Sequence, residues 1–450
     1  MNDQLSAAAV TAVESALAAG ALAAEGFAQD QRDLEIRIFE RKVESLTEAG
    51  GRGVGVRVFL SEGRSGYAFG TSLADEDLRQ LAERAVALAQ HADADPHAGL
   101  PETTEGNAID GLVAPEFEKW DTAAKLELAI GVDVAAREFD PRISQVEQTI
   151  YADDRSTVAI ANSDGFRGAW EATGAYAYSS AFAGSGDELM TGLGLGIARG
   201  PGGLDPEAIG REAAERALAM LGAGRAQPRR APVVFDEFTA ASLVGIAAAA
   251  LSGEAVLRGR SPFVGRSGEQ IASSVLTLTD DGVIPDGPAS APFDGEGVLQ
   301  RVTPLIADGR VANMLYDSRT AREAGTGSTG NARRGSYRSA PAPGATNVIV
   351  GAGAATLDEL FAEAGDGFYV TNLVGLHSGV NPVSGQFSVG ASGIEIKRGK
   401  LAGPVREATI AGDLITTLKG VRAVGSKRRW VPFGGSVLTA PLLVEELAIA

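Results

Sequence analysis

Between Ser144 and Gly200 the chain divides into four stretches that carry apolar residues, centred on 146–151, 157–161, 169–183 and 190–198. Asp153-Asp154, Ser163-Asp164-Gly165 and Gly184-Ser185-Gly186 separate them. The turn formers reverse the chain between stretches, so an antiparallel meander with a glycine-rich last strand is expected. A period of two appears at Leu34, Ile36 and Ile38, and again at Val54, Val56, Val58 and Leu60, with Gly50-Gly51 read as the connection between two half-buried strands. Helical spacing takes over at Leu78, Leu81, Ala85 and Leu88, and at Ile209, Ala213, Ala217 and Leu221; Asp121 is placed to cap a helix through Leu126, Ile130 and Val134.

A chain of 450 residues exceeds what one core usually serves. Residues 223–232, within the run GAGRAQPRRAP, read as a linker. They divide an N-terminal α/β domain, 1–222, from a β-rich C-terminal domain, 233–450, which opens with Val233-Val234-Phe235 and an apolar helix over 239–251. The fold class expected is α+β, in two domains. No fixed-period repeat is visible, which argues against a solenoid.

Composition removes several chemistries. With no cysteine, disulfides, thiolate metal sites and cysteine nucleophiles are excluded, and only His91, His97 and His377 supply imidazole. A formal charge of −18 opposes a nucleic-acid surface, and the short basic runs at 229–230, 333–334 and 427–429 read as solvated loop charge. The alanine-rich N-terminus lacks a basic n-region and carries Glu14 inside its apolar stretch, so it reads as a helix rather than a signal peptide. The longest apolar run, 238–251, is shorter than the roughly 20 residues a membrane span needs. A cytoplasmic chain that meets neither membrane nor nucleic acid is the expectation. Residues 91–106 read as a polar loop, in which His91, His97 and Asp93 or Asp95 offer an alternative reading as a surface ion site.

Two motifs are refused on mechanism. Residues 347–356 imitate a dinucleotide fingerprint, but Thr356 stands at the third glycine position and forms a T-x-x-E capping box with Glu359. Residues 420–427 match phosphate-loop spacing but end Ser426-Lys427, which transposes the ammonium and the metal-binding hydroxyl. No serine has glycines at both −2 and +2, so a nucleophile elbow is absent.

Residues 376–393 gather His377, Ser378, Gly379, Asn381, Ser384, Gly385, Ser388, Ser392 and Gly393. One reading is a convoluted turn before a hairpin at 394–397 and 405–410. The other is a polar, backbone-rich groove wall that pairs with an extended peptide.

That segment, H-S-G-x-N-P-x-S-G-x-F-S-x-G-x-S-G, resembles the signature of the TldD/PmbA family, in its PmbA (TldE) branch. AGGRGVGVRVFL at 49–60, ANSDGF at 161–166 and YVTNL at 369–373 fit in family order, and the resemblance covers the chain from about residue 30. It implies a two-domain fold and a cytoplasmic heterodimer, in which a TldD-like subunit carries an H-E-x-x-x-H helix with zinc and extended or unfolded peptides are trimmed in an enclosed cavity. Here the matching helix positions, 244–249, read Val-Gly-Ile-Ala-Ala-Ala, and the later cysteine position falls near Val424-Gly425. The resemblance therefore implies a partner subunit that binds no metal itself, with zinc in its companion. It implies a peptide-contacting role for His377, Ser378, Gly379, Asn381, Ser384, Gly385, Ser388 and Gly393. The alternatives are a non-enzymatic homodimeric peptide-binding or scaffold protein, and a stand-alone hydrolase using His377 with a nearby serine.

Overall fold

The computed structural model describes residues 2–102, 109–285, 287–433 and 435–450. The chain begins with α1 (Asn2–Ala18), β1 (Ala23–Phe39), β2 (Lys42–Phe59), β3 (Ser65–Gly70), α2 (Asp75–Gln90) and α3 (Thr122–Glu138). It continues through β4 (Ile143–Asn162), β5 (Arg167–Ala183), β6 (Met190–Ala198) and α4 (Pro206–Leu218). Among the described residues these strands form one six-stranded sheet, in the order β3-β2-β1-β4-β5-β6, with every pairing antiparallel. Alternation along β1 sets its faces. Ala24, Ala28, Leu34, Ile36 and Ile38 are buried beneath the helices, while Glu25, Phe27, Gln29, Gln31 and Asp33 point the other way. Helix α4 lies so close on β6 that a Cβ on Gly192 or Gly194 would overlap the carbonyl oxygens of Ala213 and Ile209, which accounts for the glycine-rich last strand.

Two expected turns fall inside strands. Asp153-Asp154 lies within the 20-residue β4, so the meander has three strands rather than four. Asp153 stays in the strand because its carboxylate is held from the helix side, by Lys125 of α3 at 2.7 Å and by the Tyr151 hydroxyl. Gly50-Gly51 lies within β2, paired with Gln31 and Arg32 of β1. The reversal occurs instead at Glu40 and Arg41, with φ of 49° and 62°.

The second half carries β7 (Gly224–Arg225), β8 (Arg229–Phe235), α5 (Glu237–Ala250), α6 (Gly253–Leu257), β9 (Leu278–Asp281), β10 (Val302–Ala307), β11 (Arg310–Val311) and α7 (Ser318–Ala324). Then come β12 (Ala332–Arg333), β13 (Ala342–Pro343), β14 (Asn347–Val350), α8 (Leu357–Ala364), β15 (Gly367–Val374) and α9 (Leu376–Gly379). The last elements are β16 (Gln386–Lys397), β17 (Lys400–Asp413), α10 (Leu414–Lys419), β18 (Val421–Val424), β19 (Arg429–Val431), β20 (Ser436–Thr439) and β21 (Leu442–Ile449). One sheet runs β11-β10-β9-β14-β20-β19 and another β18-β21-β8-β15-β16-β17-β7. Helix α5 packs on strands of both, within the largest apolar core of the molecule. The segment read as a linker is part of this sheet structure, because Gly224 and Arg225 pair with Val405 and Arg406, and β8 starts at Arg229. The capping box forms as read: Glu359 N–H donates to Thr356 Oγ1 at 3.3 Å, and Thr356 N–H to Glu359 Oε2 at 2.8 Å.

The two halves meet on the sheet face opposite the helices. Phe293 stacks edge-on against Phe166 and Trp170, with centroids 5.2 and 4.9 Å apart. Arg57 donates to Glu25 and to Glu296, each at 2.8 Å, and Arg334 pairs with Glu25. Loop residues after α2 also reach across. Asp95 accepts from Arg319 at 2.6 Å, and Arg322 donates to the carbonyls of His97, Gly99 and Leu100. Asp95 is thereby committed to an arginine; the tail of that loop, 103–106, lies outside the described residues. Among the described residues no helix is long and apolar enough to cross a membrane.

Candidate functional site

The C-terminal half covers the open face of the N-terminal sheet at one end only. At the β5–β6 end the face stays accessible and forms one wall of a cavity of about 750 Å³. Tyr176, Tyr178, Leu195 and Ile197 stand on that wall, and the segment Trp430-Val431-Pro432-Phe433 faces them. Two strand ends of sheets meet here, since β6 is the last strand of its sheet and β19 the last of another. Arg429 bridges them: it donates to the Leu195 carbonyl at 2.6 Å and to Glu212 of α4 at 2.5 Å. Glu212 in turn accepts from Leu195 N–H at 3.2 Å. Both backbone groups of Leu195 therefore turn away from β5, and by the alternation of an antiparallel ladder those of Leu193 and Ile197 do the same. Beside the cavity, β6 offers a strand edge that no described strand pairs, on either side of a side-chain clasp.

A second cavity, about 630 Å³, continues from the first past Leu193, Pro432 and Phe433 and runs along α5. Its polar wall is built at the start of that helix. The buried Asp236 caps α5 by accepting from Thr239 N–H at 2.8 Å and Thr239 Oγ1 at 2.7 Å, and it pairs with Arg216 of α4 at 2.8 Å. Burial pushes the Asp236 carboxyl above its ordinary value even though Arg216 pulls the other way. The guanidinium groups of Arg216 and Arg429 both lie over the Phe238 ring, 4.3 and 4.7 Å from its centroid.

A third cavity, about 740 Å³, touches Gly245, Ala248 and Ala249 of α5 and meets the first at Gly435 and Ser436. These helix positions carry no donor atom on their side chains. Val244 and Ala247 are fully buried, Ile246 half-buried. Among the described residues no group of three or more His, Asp or Glu side chains is arranged to hold a metal ion. The donor set along α5 does not fit a catalytic metal, and no step through one follows from it.

Among the described residues, Asp154 is the one carboxylate on the wall of the first cavity. It stands directly opposite Asp33 in the β1–β4 register, a like-charge pair that a sheet does not favour. Desolvation first, then Asp33 and Asp153, push it up to about 6, against the pull of Arg199. Asp33 ends a ladder of amides: Tyr337 N–H donates to Gln29, Gln29 to Gln31, and Gln31 to Asp33 at 2.8 Å. The Asp154 carboxylate accepts no hydrogen bond from any described residue.

The signature residues form an exposed turn at the rim of the second cavity, whose wall includes their neighbours Leu376 and Ser392. Ser378 Oγ donates to the Gly375 carbonyl, and Asn381 Oδ1 accepts from Val383 N–H at 2.9 Å and Ser384 N–H at 3.1 Å. Ser384 Oγ accepts from Gln386 N–H. His377 and Ser388 are exposed, and Gly385 is buried. A Cβ on Gly379 or Gly393 would overlap the carbonyl oxygen of Ser388 or Tyr369 respectively. The backbone pairing with a peptide expected of 379–393 meets an obstacle. From Gly390 onward β16 is paired with β15 on one side and β17 on the other, and Val380 bridges to Phe387. The free edge belongs to β6 instead. Reading the sequence missed β6, Asp154 and the 430–433 segment as cavity walls, because only the fold joins them; the glycine alternation of β6 was the available signal.

Models of the PmbA/TldA metallopeptidase match this chain in three parts: domain 1 at residues 24–89, the central domain at 115–221 and the C-terminal domain at 228–450. The chain belongs to the TldD/PmbA family. It is similar to "Metalloprotease PmbA" of Escherichia coli O157:H7, 28% identical over 91% of this chain and 88% of that one. It is also similar to "Metalloprotease TldD homolog" of Haemophilus influenzae, 29% identical over 84% of this chain and 80% of that one. A putative modulator of a DNA gyrase from Thermotoga maritima superposes with a TM-score of 0.88 at 26% identity, covering 98% of each chain. TldE from Thermococcus kodakarensis shares the fold, with a TM-score of 0.89 at 24% identity over 98% of this chain and 100% of that one. The fold is thus that of the family, mixed helices and strands in several sheet-rich parts.

Proposed function

We propose that this chain is a PmbA/TldE-type subunit that works in the cytoplasm with a TldD-like companion as a heterodimeric metallopeptidase acting on extended or unfolded peptides. In this reading the companion carries the zinc and cuts the peptide, and this chain binds no metal. It supplies wall and guidance: an extended peptide lies along the cleft between β6 and β19, with backbone pairing at the free edge of β6. His377, Ser378, Asn381, Ser384 and Ser388 on the exposed turn contact the companion or the incoming peptide, while Gly379, Gly385 and Gly393 hold the turn's shape.

The observation that carries this reading is α5 itself. Where the family resemblance places metal ligands, this helix presents Val244, Gly245, Ile246, Ala247, Ala248 and Ala249, packed between two sheets and beside continuous cavities large enough for a peptide. The test is co-expression with a family member bearing H-E-x-x-x-H, followed by assay on a disordered protein. Co-purification, cleavage only in the mixture and loss of cleavage with chelator are expected. Metal-dependent cleavage by this chain alone, or a stable homodimer inert beside every such companion, overturns it.

A further inference from the structure

We propose that the cavity between β6 and β19 receives a lysine or arginine side chain of an extended peptide, with the charged tip at Asp154 and the methylene stem along Tyr176, Tyr178 and Ile197. The proposal rests on the peptide-guiding role above and names what that cleft selects.

Shape is the first argument. The cavity has the size of a ligand site, and its walls are mostly aromatic and aliphatic, with Asp154, Thr173, Arg199 and Ser436 as polar exceptions. Such walls suit a long side chain whose body is apolar, and the faces of Tyr176, Tyr178 and Trp430 attract a cation. Charge is the second argument. Asp33 and Asp154 face one another across two strands, and the cation beside them is already engaged: Arg199 donates to the carbonyls of Thr173 at 3.3 Å and Gly287 at 2.5 Å. Asp33 has Gln31 as a donor, while Asp154 has none among the described residues. A carboxylate held half out of water beside another carboxylate, without a donor, is an unmet demand for a cation. The third argument is access. Residue 174, across from Asp154 on β5, is glycine, and a Cβ there would stand 2.8 Å from Asp154 Oδ1. Any larger side chain would cover the carboxylate. Finally, the cavity lies beside the free edge of β6, so a strand paired there points alternate side chains toward it.

The test uses two dodecapeptides of Gly, Ala and Ser that differ at one central position, lysine in one and norleucine in the other. Their binding to the full chain, and to its complex with the companion, is measured by calorimetry. The lysine peptide is expected to bind at least tenfold more tightly. Asp154→Asn should bring the two affinities together by weakening the lysine peptide alone, with the norleucine peptide unchanged as the control for intact folding. Asp33→Asn, which keeps Asp154, should retain most of the preference. Equal binding of the two peptides to the wild-type complex overturns this proposal and leaves the peptide-guiding role standing. A lysine preference that survives Asp154→Asn also overturns it. Failure of the complex to bind either peptide overturns the peptide-guiding role and this proposal with it.

Discussion

Arg57 on β2 donates to Glu296 across 2.8 Å, joining residues 239 positions apart and both halves of the molecule. The guanidinium also holds Glu25, whose second partner is Arg334. Burial alone would lower the Arg57 pKa, but Glu25 and Glu296 outweigh it and raise it. Removing the cation leaves two carboxylates, each 1% exposed, with a lost partner. Arg57→Met is therefore expected to cost on the order of 3–5 kcal/mol, read as a lowered urea midpoint. An unchanged midpoint would mean that the aromatic contacts of Phe293 hold the halves together without it.

Asp154 makes the opposite contribution. Its folded pKa, about 6, lies above the ordinary carboxylate value, so folding favours its protonated form. Stability from this group is greatest below about pH 4 and is lost as pH rises through about 6. Asp154→Asn should then match wild type near pH 4 and exceed it above pH 7, by on the order of 2 kcal/mol. Thermal melts from pH 4 to 8 check this; a variant less stable than wild type at pH 8 contradicts it.

Asp236 ties α5 to α4. Asp236→Ala removes the helix cap and leaves Arg216 with Glu212 at 3.5 Å as its remaining carboxylate. A loss of about 3 kcal/mol is expected, with Asp236→Asn costing less because its side-chain oxygen still caps. Chemical denaturation of both variants separates the cap from the charge.

The signature turn should divide into framework and contact residues. Gly393→Ala forces a Cβ onto the Tyr369 carbonyl and should destabilise by about 1–3 kcal/mol. His377→Ala touches an exposed ring and should leave the melting temperature unchanged, within about 0.5 kcal/mol. An effect of His377→Ala on cleavage by the complex, with the fold intact, would place the imidazole at a contact surface.

Local signals in the sequence were read well where the partner is local. Asp121 caps α3 through Ala124 N–H, Thr356 and Glu359 form their reciprocal box, and the apolar helix expected over 239–251 is Glu237–Ala250. Misreadings arose where the partner is remote. Asp153-Asp154 carries turn chemistry, yet Lys125 on another element keeps Asp153 in a strand. Gly50-Gly51 looks like a reversal, but pairing with β1 runs straight through it, and the turn falls on Glu40 and Arg41, which have no turn signature. The cleft was invisible for the same reason: β6 and β19 are more than two hundred residues apart in sequence, and nothing in either segment names the other.

Arg429 lies across that cleft and touches Leu195 on one rim while its own strand forms the other. A flexible side chain, rather than a continuous hydrogen-bonded ladder, thus sets the gauge of the slot. On the proposed reading, a single stretched chain passes beside such a clasp, and a bulkier helix or hairpin needs the clasp to swing away. If the peptide-guiding role proposed above holds, preference for unfolded material becomes a matter of clearance, built into the frame before any particular residue of a substrate is read.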